Sequence, residues 1–248
     1  MRRARVIPCL LIQGNGLVKT KKFKDPVYVG DPVNAIRIFS DKEADEIVVL
    51  DIDASKKGIE PNYELISEMA GEAFMPMAYG GGVGGVDQIR RLIRCGIEKV
   101  VINTAAIHSN EWIREAVGIF GSQAIVGAVD VKKSLLGGYR VVARSATEET
   151  KLDLDRHIES LVALGVGEVL LNSVDRDGTM SGYDLPLIQR VADRISVPIV
   201  ACGGAGTVEH LADGVRGGAS AVAAGSMFVF HGKHRAVLIN YSNNIPLE

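Results

Sequence analysis

A chain of 248 residues with 47% hydrophobic content and 28 glycines suits one (β/α)8 barrel of about 250 residues, with a large core and many tight turns. Its formal net charge of −2 gives no global electrostatic reason for nucleic acid or an anionic membrane as partner. No apolar run reaches the roughly 18 residues of a membrane span, and Cys9, Cys95 and Cys202 lack CxxC spacing, which points to a cytoplasmic setting without disulfide, metal or cofactor.

The start, MRRARVIPCLLIQGNG, reads as strand 1 over 5–11 and not as a signal peptide, because its apolar stretch is short and has no small-residue cleavage pattern. Residues 13–31 form a connection longer than an ordinary βα loop, and long loops on that side of a barrel usually serve the active site. Lys19, Lys21, Lys22 and Lys24 within it suit an anionic ligand, with a solvated basic loop as the plainer reading for all but Lys19. A helix over 31–44 follows, with Asp31 as N-cap and Pro32 at its first position. Further strands are expected at 46–52, 75–79, 99–103, 124–130, 168–173, 198–202 and 221–225. They barely alternate, as strands buried on both faces do. Helices are expected at 86–95, 110–118, 153–164, 184–194 and 207–217, and residues 232–242 can supply helix 8.

The chain nearly repeats itself at an offset of 122 residues: Glu46 with Glu168, Asp53 with Asp175, Pro76 with Pro198, Gly81-Gly82 with Gly203-Gly204, and Gly96 with Gly218. That is too long for a solenoid unit. The expected architecture is α/β, a single (β/α)8 TIM barrel spanning 1–248 and built from two (βα)4 half-barrels of about 1–122 and 123–248.

Barrel ligands sit at the C-terminal strand ends. There Gly81, Gly82, Gly203 and Gly204 follow strands 3 and 7 and expose backbone N–H groups fit to cradle phosphate. Asn103-Thr104 after strand 4 and Gly225-Ser226 after strand 8 hold matching places, so each half offers one phosphate site and the implied ligand carries two phosphates. Between these sites lie candidate acid–base groups: Asp130 ending strand 5, Asp51 and Asp53 ending strand 2, and Asp175 and Asp177 after strand 6. A loop hydrogen bond is the plainer reading for Asp177 and for at least one of Asp51 and Asp53. At the other end, Arg5, Glu46, Lys99 and Glu168 stand at strand starts. Alternation puts Lys99, Val101 and Asn103 on one face, and likewise Glu168, Leu170 and Asn172. Facing inward, these charges would meet as a stability ring or a polar gate, a choice spacing alone leaves open.

The segments RVIPCL, GLVK, GDPV, LDIDA, GGGV, KVVINTAA, FGSQA, DVKK, GEVLLNSVDRDGTMSGYD and ACGGAG resemble the cyclase subunit of imidazole glycerol phosphate synthase over nearly the whole chain. The resemblance implies a lyase of histidine biosynthesis, a barrel with two phosphate sites that cleaves and cyclises a bisphosphate with ammonia from a docked glutaminase subunit. It implies that Lys19, Gly82, Asn103, Thr104, Asp130, Gly204 and Ser226 face substrate, with Gly81, Asp177, Gly203 and Gly225 beside them. It implies an ammonia gate of Arg5, Glu46, Lys99 and Glu168, and a heterodimer with the glutaminase on the N-terminal face. The family uses a second aspartate at the end of strand 1, where this chain has Leu11 in Cys9-Leu10-Leu11-Ile12. Leucine carries no proton. Asn172 and Cys202 also replace small hydroxyl residues usual in the family. LLIQGNGLVKTKKFKDPVYVGDP and GGASAVAAGSMFVFHGKHRAVLINY resemble the cyclase-like proteins of surface-polysaccharide clusters. In those clusters ammonia passes to an amidotransferase acting on an N-acetyl sugar of lipopolysaccharide or O-antigen. The other readings are an active cyclase tolerating Leu11, a silent scaffold activating its glutaminase, and a two-phosphate sugar isomerase.

Overall fold

Short runs of valine, isoleucine and alanine form parallel strands that close on themselves. The computed structural model describes residues 3–134, 137–242 and 245–247. Its barrel strands are β1 (Arg5–Gln13), β2 (Ile47–Asp51), β3 (Met77–Gly80), β4 (Lys99–Ile102), β5 (Ile125–Lys133), β6 (Glu168–Ser173), β7 (Ile199–Cys202) and β8 (Ala221–Ala224). Each pairs with its sequence neighbours, and β8 returns to β1, with Arg5 opposite Ala221 and Pro8 opposite Ala224. The run from Val100 opposite Ile125 to Ile102 opposite Gly127 joins β4 to β5 across position 122. Burial on both strand faces explains the missing alternation: Val48 lies in the lumen while its neighbour Val49 packs outward under the helices.

The expected helices are present as Pro32–Asp41, Val86–Arg94, Glu111–Phe120, Leu154–Leu164, Leu185–Ala192 and Val208–Arg216, with a further one at Tyr63–Gly71. Side chains of Asp31, Asn62, Asp153, Asp184 and Thr207 each accept a first-turn N–H, so polar residues just before the apolar periodicity set where these helices begin.

Two expectations fail. Residues 232–242 do not form helix 8. A single turn, Ser226–Val229, leads into a two-residue ladder of Phe230–His231 with Ala236–Val237, and no described residue beyond it is helical. Left-handed turns at Gly232 (φ 71°) and Arg235 (φ 51°) break the helical path. The tail is instead pinned by Tyr241, whose hydroxyl donates to the Val6 carbonyl at 3.0 Å and accepts from the Asp45 N–H at 3.4 Å. Its ring packs on Phe39 and Phe228.

Residues 13–31 are not an open loop but a β-hairpin, Gly16–Lys21 with Lys24–Gly30, continuing antiparallel from β1. Its near equivalent follows β5, where Tyr139–Ala143 pairs with Lys133 and its predecessors and then with Glu148–Glu149. The tips also stand 122 residues apart, Lys22-Phe23 (φ 55° and 61°) and Arg144-Ser145 (φ 51° and 53°). The left-handed region costs a non-glycine residue of order 1–2 kcal/mol, so each tip needs an anchor. The first is held by the loop after β6, where Lys22 N–H donates to the Asp177 carbonyl at 2.9 Å. The second is held after β2 and β4. There Ser145 Oγ donates to the Ile52 carbonyl at 2.9 Å, and Arg144 N–H donates to Thr104 Oγ1 at 3.1 Å. The two hairpins thus act as straps across the barrel mouth.

Tyr241→Phe leaves a strand carbonyl and a loop N–H without their shared hydroxyl. The unfolding free energy in urea should fall by about 1–3 kcal/mol with the fold retained.

Candidate functional site

Strand alternation sends Cys9 and Leu11 of β1, Leu50 of β2, Ala128 and Asp130 of β5, and Cys202 of β7 into one cavity at the C-terminal end. The cavity has a volume of about 1180 Å³, open mouth included. Lys19, Gly81, Gly82, Asn103, Thr104, Asp177, Gly203, Gly204, Gly225 and Ser226 all line it as well. The straps contribute Thr20, Phe23 and Ser145, none of which stands out in the sequence. The second strap had one available signal: the 122-residue offset carries the long connection after strand 1 onto residues 135–153.

The four glycines after β3 and β7 are required by the backbone itself. Gly81 (φ 123°) and Gly203 (φ 90°) would each put a Cβ 2.6 Å from a carbonyl oxygen, that of Asp51 or Ser173, and those two residues are again 122 apart. Gly204 (φ 118°) leaves 2.2 Å to the Gly182 carbonyl oxygen. Gly225 makes room for Lys19, whose Nζ would lie 2.5 Å from an added Cβ. The Lys19 ammonium donates to the Cys9 carbonyl, and burial pushes its pKa down.

Asp130 is the most perturbed carboxyl of the cavity. Burial pushes its pKa up to about 7, helped by the nearby Asp177 charge and opposed by hydrogen bonds from Asn103 and Asn172. Asn103 Nδ2 donates to its carboxylate at 2.7 Å, while the buried Oδ1 atoms of Asn103 and Asn172 have no protein partner. The cavity therefore offers acceptors to a hydroxyl- or amine-bearing ligand, next to a group able to exchange a proton near neutrality.

The other aspartates serve the loops. Asp177 accepts from Thr20 Oγ1 at 2.7 Å and from the Phe23 N–H at 3.2 Å, so its carboxylate holds the first strap while burial raises its pKa. Asp51 caps the turn by accepting from the Asp53 and Ala54 N–H groups. Asp53 pairs with Lys57 at 2.6 Å and Gln13 at 3.1 Å, and Asp175 accepts from the Lys133 N–H. Asp51 also lines the cavity, where burial raises its pKa. Leu11 stands in β1 opposite Leu50, within the apolar lumen cluster.

At the opposite end the four charged residues meet. Arg5 pairs with both Glu46 and Glu168, and Lys99 Nζ lies 2.8 Å from Glu46 and 3.1 Å from Glu168. Burial works against the Arg5 charge, yet the two carboxylates more than offset it and hold its pKa above the ordinary value. Glu46 and Glu168 are buried, and full mutual pairing is what makes that tolerable. Above the ring lies a small cavity walled by Ile7, Val48, Ala78, Val126 and Val200. Val101 and Leu170 line both this cavity and the mouth.

The pattern of the histidine biosynthesis protein family matches residues 5–235. The chain is 53% identical, over all of its length and 99% of the relative, to a Pseudomonas aeruginosa protein provisionally named imidazole glycerol phosphate synthase subunit hisF2. It is 47% identical, over all of its length and 98% of the relative, to a Leptospira borgpetersenii protein provisionally named subunit HisF of that synthase. A Vibrio vulnificus protein provisionally named its subunit hisF3 is 44% identical over 97% of this chain and 94% of its own.

Asp130 makes stability depend on pH. With a folded pKa of about 7 against 3.8 for the free group, the folded chain holds the extra proton between those values. Stability therefore falls as pH rises from about 4 to 7 and is level above. Asp130→Asn removes this loss, worth up to about 4 kcal/mol between pH 4 and pH 8. Urea titrations at both pH values should show the variant gaining on the wild type at pH 8.

Proposed function

The chain belongs to the family of histidine biosynthesis proteins, and we propose a specific task for it there. It is a cyclase-subunit-like barrel that takes ammonia from a glutaminase subunit docked on the N-terminal face. It passes that ammonia on for amidation of an N-acetyl sugar in lipopolysaccharide or O-antigen assembly, together with an amidotransferase. The reading rests on one juxtaposition. A fully paired ionic ring lies beneath a small apolar cavity, and only Val101 and Leu170 are shared between that cavity and a mouth where Leu11 stands in place of a proton carrier. Small neutral ammonia crosses such an apolar lumen more readily than a charged ion does, because the walls offer no solvation for charge. Arg5, Glu46, Lys99 and Glu168 act as its gate. The glycine-lined ends of β3 and β7, with Asn103, Thr104, Gly225 and Ser226, hold a phosphorylated small molecule.

Phe74 supports a partner at the same end. It precedes β3, so it sits on the N-terminal face, and it is 91% exposed. A large aromatic left in water on the same face as the charged ring is the kind of residue that anchors an interface. Phe74→Ala should weaken binding of the glutaminase subunit at least tenfold, about 1.4 kcal/mol or more, by calorimetric titration.

An active imidazole glycerol phosphate cyclase is the second reading, favoured by Asp130 with its pKa near 7. Turnover of the histidine-pathway bisphosphate with excess free ammonia separates the two. On the first reading the wild type lacks one of two acid–base groups and turns over slowly, and Leu11→Asp restores a factor of about 10²–10⁴. Wild-type turnover at the level of an ordinary cyclase overturns it.

A further inference from the structure

The turn after β2 wraps round the first glycine cradle. A Cβ added at Gly82 would lie 2.5 Å from the Ile59 carbonyl oxygen and 3.0 Å from the Ala54 Cβ, so the 54–59 turn packs directly against it. Ser55 and Lys56 of this turn line the mouth cavity together with Gly82 and Thr104. No role described above uses Ser55 or Lys56.

The hydrogen-bond donors at this rim exceed its acceptors. Among the described residues the Gly82 N–H has only Ser55 Oγ as partner, at a long 3.4 Å. Thr104 Oγ1 accepts from the Arg144 N–H at 3.1 Å. Each hydroxyl thus receives a hydrogen bond, and among the described residues neither has an acceptor for its own proton. Lys56 adds an ammonium. Its neighbour Lys57 pairs with Asp53 at 2.6 Å, and Asp51 accepts from the Asp53 and Ala54 N–H groups. Lys56 itself forms no ion pair among the described residues. Two hydroxyl protons, a weakly held amide and an ammonium together suit an acceptor-rich anion. At the cavity floor the imbalance is the opposite one, with the amide oxygens of Asn103 and Asn172 left over.

At the 122-residue offset Ser55-Lys56 falls on Asp177-Gly178. There a carboxylate and a glycine replace the hydroxyl and the ammonium, and the carboxylate is engaged by Thr20 and Phe23. The second cradle draws its lysine from elsewhere, since Lys19 of the first strap lies against Gly225. The counterpart of Lys19 in the second strap is Val141, which is buried in the core. Each cradle therefore has one lysine, and the two come from non-equivalent places. We propose that Lys56 is the phosphate-binding cation of the first cradle, with the Ser55 and Thr104 hydroxyls and the Gly82 N–H completing a site for a phosphate dianion. The inference rests on the phosphate-holding role given above to the glycine-lined strand ends, and it does not depend on the ammonia reading. A lysine ammonium is a point charge on a flexible stem, so Lys56 can reach a phosphate oxygen from its half-buried place at the rim.

The probe is inorganic phosphate at pH 8 and constant ionic strength, followed by amide NMR titration of the full chain. The Gly82 and Thr104 amides report on the first cradle and the Gly204 amide on the second. In the wild type the Gly82 and Thr104 signals should shift saturably. Lys56→Gln should weaken binding read at Gly82 roughly tenfold, as loss of a charge-assisted hydrogen bond does, and leave binding read at Gly204 within about twofold. Lys56→Arg should restore most of the loss, and Lys57→Gln should leave both readings unchanged. The remaining amide signals verify that each variant folds. An unchanged dissociation constant at Gly82 in Lys56→Gln overturns the proposal and leaves the cradle reading standing. An equal loss at Gly82 and Gly204 also overturns it, because a diffuse field and not a local contact gives that result. A wild type in which neither glycine shifts overturns the cradle reading and the proposal with it.

Discussion

Eight strands closed into a ring must send every second side chain into one lumen, and the rest of this structure follows from that. The lumen is too narrow for eight large residues at one level, so Ala78, Ala128, Ala221 and Ala223 share it with Ile7, Val126, Leu170 and Val200. Polar groups that enter are cut off from water and must find partners within the ring or at its open ends. Function can then be built only at the two rims, which meet this constraint in opposite ways.

At the base, two carboxylates face two cations and each acid is shared between them. Burial there is offset by mutual pairing, which fixes the side chains in one arrangement. At the mouth the balance is left open. Asp130 has an amide donor but, among the described residues, no cation within pairing distance, so burial dominates and its pKa rises. Lys19 binds a carbonyl and not a carboxylate. Two buried amide oxygens lack partners. The base rim is paired throughout, whereas an under-satisfied rim is suited to a ligand.

The straps tie the two rim regions of the mouth together. Each emerges from the strand that opens its half, doubles back at a strained two-residue tip, and docks on loops belonging to other strands. Strain at the tips is held by contacts reaching the far side of the barrel. Asp177 and Ser145 therefore count for the shape of the mouth as much as for any chemistry within it.

Much of this was legible in the residues. Unalternating β-branched runs and cap residues before apolar periodicity determined eight strands in order and most of the helices between them, and the 122-residue offset suggested repeated halves. Two-residue alternation determined that Lys99 and Asn103 share a face, as do Glu168 and Asn172. The identity of position 11 alone fixed that one rim group carries no proton. The tertiary structure decided what local rules cannot reach. The hairpins depend on left-handed tips that only distant anchors make tolerable, and the tail trades an eighth helix for the Tyr241 contacts with Val6 and Asp45. Cys9 and Cys202 line one cavity because lumen side chains from strands almost two hundred residues apart converge. Local sequence sets periodicity and capping through sterics and hydrogen bonding within a few residues. Contacts across the lumen exist only once the ring has closed.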